Sequence, residues 1–133
     1  MRHLVASLAL AAAALPAAAE SPRTLLDDYA AQARKENPAF AGASTERGRA
    51  FFTKVQGKDW SCASCHTPVP SAGGKHAVTG KAIAPLAPAA NPERFASASK
   101  AEKWFRRNCN DVLGRECTAQ EKGDVLAWLL AVR

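Results

Sequence analysis

Methionine is nearly missing from this chain: there is one in 133 residues, and it is Met1. Any site in the body of the chain must therefore do without a methionine thioether. Sustained strand alternation is missing too, since no apolar–polar period of two persists beyond a few residues, and there is no internal repeat. No apolar run reaches the ~20 residues that cross a bilayer comfortably. The net charge of +6 comes from scattered lysines and arginines without an aromatic-rich basic stripe, which argues against nucleic acid as a partner. A weakly basic surface of this kind suits an acidic protein partner.

The beginning of the chain reads as a targeting segment. Arg2 and His3 form a short basic start, residues 4–15 are apolar, and Ala17 and Ala19 supply the small residues a signal peptidase reads. Residues 1–19 are expected to be a cleaved secretory signal. Residues 20–133 then form one domain, about 114 residues long, that is periplasmic and not membrane-embedded. A core of that size gains from a cofactor or cross-link, and thiols outside the cytoplasm tend to be oxidised.

The body of the chain reads as helices separated by long loops. Residues 21–37 place Leu25, Leu26, Tyr29 and Ala33 on one side. Ser44 or Thr45 can cap a second helix through Phe51, Phe52 and Val55 to Gly57. Residues 67–92 are rich in proline and glycine and read as loop, of a length that usually wraps a ligand. Ser97 or Ser99 starts a third helix with Ala101, Trp104 and Phe105 inward, and Gly114 interrupts it. Thr118 and Glu121 read as the capping box of a last helix carrying Val125, Leu126, Leu129 and Leu130. The fold class is all-α.

CASCH, residues 62–66, is the C-x-x-C-H signal for covalent haem attachment. Cys62 and Cys65, on one turn of helix, can each add to a haem vinyl group. His66 then projects a neutral imidazole nitrogen under the iron. The cofactor implied is one haem c per chain. A thioredoxin-like dithiol would need a βαβ pattern, which is missing. A four-cysteine zinc site would prefer a second C-x-x-C, but Cys109 and Cys117 have seven residues between them.

Gly48, Phe51 and Phe52 ahead of CASCH, with Trp128 on the final helix, resemble a class I c-type cytochrome. The resemblance implies four to five helices around the haem, with Gly48, Phe52 and Trp128 at a helix crossing. The helix at residues 21–37 lies outside that minimal pattern. By the same resemblance a proline carbonyl after the motif orients the proximal histidine, and Pro85 is the best match.

With Met1 removed alongside the leader, the sixth iron ligand cannot be methionine. The residues leave His76, a lysine, an asparagine, or an open site. His76 lies ten residues past His66 in the Gly-Pro loop, which favours the proximal or edge side. A lysine must first lose its charge.

The stretch KWFRRNCNDVLGREC, residues 103–117, resembles the SHP-type class I cytochromes, the "sphaeroides haem protein" family. The resemblance extends over most of residues 20–133, including Thr79-Gly80-Lys81 and the proline-rich segment to Phe95. It implies that Asn108 is a labile distal ligand, with Asn110 as the alternate, and that Cys109 pairs with Cys117. Such a pair constrains the backbone. In a continuous helix these two positions would be about 12 Å apart. A disulfide needs Cα atoms within about 7 Å, so the chain must turn, and Gly114 is where it can.

The family further implies a monohaem electron carrier. Asn108 would leave on reduction and expose ferrous iron to O2, NO or CO. The redox partner would be another cytochrome, multihaem or membrane-bound. A gas-binding or sensing protein with incidental electron transfer is the second reading. An enzyme reacting O2, NO or peroxide ranks last, because no distal acid–base pair is evident. Arg106, Arg107, Lys81 and Trp60 are the candidates to meet the haem propionates.

Overall fold

A computed structural model describes residues 20–57 and 59–133; the leader expected at residues 1–19 and Lys58 lie outside the described residues. Helix α1 (Pro22–Glu36) begins where the Ser21 side chain accepts the N–H of Thr24 at 3.1 Å. Pro22 takes the first helical position, which has no intrahelical use for an N–H. Helix α2 (Thr45–Thr53) is capped in the same way by Ser44, which accepts from Arg47 N at 3.2 Å.

A short helix α3 (Ala63–His66) holds the CASCH motif. The loops beyond it contain strands β1 (Gly74–Lys75) and β2 (Ala82–Ile83), paired antiparallel with Gly74 opposite Ile83 and Lys75 opposite Ala82. Two residues per strand are too few to produce a readable sequence period. Helix α4 (Ala98–Leu113) stops at Gly114, whose left-handed φ of 73° a side chain would resist. Helix α5 (Ala119–Ala131) starts with the expected capping box, in which Thr118 and Glu121 each satisfy the other's backbone N–H.

Helix α5 is the hub, with α1 and α2 packed against it. Leu126 and Leu129 are fully buried there. Gly48 lets α2 cross close to α5, because a Cβ at that position would collide with the carbonyl of Asp124. Phe52 and Trp128 pack beside the crossing with tilted rings whose centroids are 4.9 Å apart. The buried Asp124 carboxylate latches the pair, accepting from Ser44 N at 2.7 Å and from Arg47 Nε and Nη2 at 2.8 Å each.

Helix α1 is no appendage. Leu25, Leu26 and Tyr29 form one core with Ala101 of α4 and Leu126 of α5. Two expectations need correction. Trp104, expected to face inward, is 50% exposed. The inward stripe of α4 runs through Ala101, Phe105, Cys109 and Val112 at helical spacing, and leaves Trp104 on its flank. Val55 is exposed because α2 ends at Thr53 and Lys54 turns extended. Among the described residues no helix is long and apolar enough to cross a membrane.

Candidate haem site

The CASCH turn is built by local hydrogen bonds. His66 N donates to Cys62 O at 3.0 Å, and Thr67 N to Ala63 O at 2.9 Å. Ser61, buried beneath the turn, donates its N–H to Ser64 Oγ at 3.0 Å. Thr67 then leaves with φ 62° and ψ 158°, a region that L residues seldom occupy. The Thr67 hydroxyl, bonded to Val69 O at 2.9 Å, holds that reversal directly behind His66.

Glycine protects the turn from the other side. Gly74 of β1 lies against Cys65, where a Cβ would collide with the Cys65 carbonyl. Two residues past β1, Ala77 N donates to Cys65 Sγ at 3.3 Å. The loop bearing His76 therefore sits on the motif side. The His76 Nδ1 accepts from Val78 N and Thr79 N at 3.2 Å each, so that atom serves the turn of its own loop.

The motif's electrostatics suit attachment and ligation. Burial pushes the Cys62 thiol up to about 11, so it is neutral at pH 7, unlike the acidified thiol of a redox dithiol. Burial, aided by the positive charge of Arg94, lowers His66 to about 4, which keeps its imidazole neutral and able to bind metal. The Phe52 ring lies 6.3 Å from the His66 ring. Around the motif is an apolar cluster of Phe52, Val125 and Leu129, with Cys62, Leu86, Phe95, Phe105 and Trp128 packed against it.

The fit to haem can be tested on one atom. His66 Nδ1 is buried and has no hydrogen-bond partner among the described residues, an arrangement that is costly for a polar group in isolation. A histidine held by iron through one nitrogen and directed by an acceptor on the other is the usual arrangement. The donor set, the apolar wall and the two available sulfurs all fit a covalently bound porphyrin. Pro85 does not supply the expected acceptor. Its carbonyl instead takes Arg94 Nε at 2.9 Å and Asn91 Nδ2 at 3.3 Å. These two donors match the two lone pairs of that carbonyl oxygen.

Asn108 lies on α4, one turn past Phe105, which packs against the same cluster as Cys62. It is half-buried, and its side chain has no hydrogen-bond partner among the described residues. Asn110 differs on both counts, being exposed and already engaged in an interaction. Cys109, next to Asn108, is buried, and its sulfur is 1.98 Å from that of Cys117, with Cα atoms 5.7 Å apart. Gly114 provides the turn that makes this approach possible.

Arg94, Gly74 and Thr67 were not legible as site residues. Gly74 had a faint signal, as half of a Gly-Gly pair after the motif. Arg94 and Thr67 had none, because a hydrogen bond to a distant carbonyl and a positive φ leave no pattern in one sequence.

A family described as a domain of unknown function (DUF1924) matches residues 38–129. The chain is 47% identical over 134 residues to cytochrome c-type protein SHP of Cereibacter sphaeroides, covering 98% of both. It is 42% identical over 110 residues to cytochrome c'' of Methylophilus methylotrophus, covering 80% of this chain and 76% of that one. A solved structure of oxidised SHP, described as an oxygen-binding cytochrome c, matches with TM-score 0.76 and 46% identity, over 84% of this chain and 97% of that one. A solution structure of the Methylophilus cytochrome c'', described as giving insight into haem-ligand detachment, matches with TM-score 0.72 and 41% identity, over 82% and 91%.

Proposed function

Because the chain belongs to the SHP-type c-type cytochromes, with a class I cytochrome c fold and one covalently bound haem c, we propose a specific division of labour among its residues. Cys62 and Cys65 form the thioether attachments and His66 is the proximal ligand. Asn108 is the distal ligand of the ferric state and lets go on reduction. The haem supplies a one-electron couple and, where a ligand position is open, affinity for O2, NO or CO. The chain is a monohaem electron carrier whose distal residue controls that opening.

The observation that carries this reading is the Asn108 side chain, half-buried and without a hydrogen-bond partner among the described residues, on the helix that shares the motif's apolar cluster. A neutral carboxamide is a weak ligand. It can hold ferric iron and surrender it when the positive charge on the metal falls. A bond between Cys109 and Cys117 fixes the backbone beside Asn108, so that the side chain, not the helix, does the moving. Oxygen binding in SHP and ligand detachment in cytochrome c'' support the same behaviour here.

Residues 1–19 act as the export signal and the mature chain works in the periplasm. Its partner is another redox protein, multihaem or membrane-bound, of acidic character. The ligand assignment is tested by absorption spectra of the oxidised holoprotein. Asn108→Val is expected to convert the ferric spectrum to high spin, and Asn110→Val to leave it unchanged. The reverse pattern would transfer the role to Asn110.

A further inference from the structure

Arg94 and Lys122 are the partly buried lysine and arginine side chains among the described residues. Lys122 meets the Glu102 carboxylate at 2.9 Å, and even the exposed Arg47 and Arg115 meet carboxylates at 2.8 and 2.7 Å. Arg94 is half-buried, yet no carboxylate among the described residues pairs with it. Instead its Nε donates to Pro85 O at 2.9 Å and its Nη2 to Ala84 O at 2.8 Å. These two bonds fix the plane of the guanidinium but use only part of its five-donor fork. A cation drawn partly out of water without a counter-ion is costly unless an anion arrives from elsewhere. The next residue, Phe95, packs against the same apolar cluster as Cys62 and Ala63, which brings this part of the chain to the attachment motif.

The other candidates are less suited. Arg106 and Arg107 are exposed; the first reaches Glu116 at 3.9 Å, and the second lies over the Trp104 ring at 5.2 Å. Lys81 is exposed and lacks the planar fork. Trp60, half-buried, offers a single indole donor and no charge.

We infer that Arg94 is the carboxylate seat of the site: it binds a propionate of the covalently attached haem, while its bonds to Pro85 and Ala84 hold the loop after β2 in place. This rests on attachment at Cys62 and Cys65 and is independent of the Asn108 assignment. Arg94 neutralises a negative charge close to the iron. Its removal favours the ferric state, because an unscreened carboxylate stabilises the more positive metal.

The test uses full-length holoprotein carrying Arg94→Gln or Arg94→Lys, with Arg106→Gln and Arg107→Gln as controls. Two quantities are read at pH 7: the reduction potential, and the NMR resonances of the haem propionate methylenes. Arg94→Gln is expected to shift the one-electron equilibrium about tenfold towards ferric, equivalent to 59 mV. Arg94→Lys should recover most of the potential but still move the propionate resonances, because the charge remains and the fork is lost. The controls should change the equilibrium less than about twofold.

If Arg94→Gln stays within twofold of the parent, or if a control shifts the potential more, the inference is overturned. If Arg94→Gln does not mature, Arg94→Lys decides, and unmoved propionate resonances overturn it. A parent protein lacking covalent haem would overturn the attachment reading as well. Normal attachment with silent Arg94 variants would overturn this inference alone.

Discussion

Gly74 lies so close to the Cys65 carbonyl that the smallest side chain would collide with it. The β1–β2 loop thus packs backbone to backbone on the CASCH turn, and Ala77 N reaches Cys65 Sγ from the same loop. Haem attachment needs both sulfurs held on one turn, and this contact helps to hold them.

Gly74→Ala is therefore expected to destabilise the protein by about 1–3 kcal/mol, the usual cost of overpacking, and to lower the fraction carrying covalent haem. Gly73→Ala is the control, since a Cβ there meets only Ile83 O, at 3.4 Å. Denaturant midpoints and the haem-to-protein ratio check both variants.

The crossing of α2 and α5 responds in the same way for a different reason. Gly48→Ala drives a methyl group into the Asp124 backbone, while the Arg47–Asp124 latch resists separation of the helices. A loss of at least about 2–3 kcal/mol is expected in thermal or denaturant unfolding.

Replacing Cys109 and Cys117 together by serine should cost about 2–3 kcal/mol, as expected for opening so short a loop. The same variant should loosen the backbone next to Asn108. A larger high-spin fraction in the ferric spectrum, at a pH where the fold persists, is the expected sign. A purely stabilising cross-link would lower the unfolding midpoint and leave that spectrum unchanged.

Glu121 gives the stability a pH dependence of known sign. Partial burial would raise its pKa, but hydrogen bonds from Arg115 and Thr118 N and the charge of Arg115 hold it below the usual carboxylate range. A carboxylate depressed on folding contributes stability above its unfolded pKa and loses it as pH falls through the folded value. Glu121→Gln should therefore cost about 1 kcal/mol at pH 7, a typical value for a helix cap, and little in acid. Unfolding of parent and variant at pH 7 and below the carboxylate range checks the convergence.

Local chemistry made much of this fold readable. The Thr118 cap, the Gly114 stop and the CASCH turn are each written in a few neighbouring residues and stand where the sequence places them, and of Ser44 and Thr45 it is Ser44 that caps α2. What stayed hidden depends on partners far along the chain. The Pro85 carbonyl is taken by Asn91 and Arg94, which no spacing rule relates to His66. Trp104 was misjudged because apolar character alone does not say where an inward stripe is centred. The choice of Asn108 over Asn110 was legible only through family resemblance. The difference in burial between them appears only with the fold, as does the interaction that already engages Asn110.

The most direct test of the central claim is the absorption spectrum of the reduced holoprotein before and after CO, taken for the parent and for Asn108→Val. The account predicts a high-spin ferrous spectrum in both, converted by CO in both at similar affinity, with the two proteins differing only when oxidised. A six-coordinate low-spin ferrous parent that ignores CO would contradict it, because Asn108 would then not be a ligand that leaves on reduction.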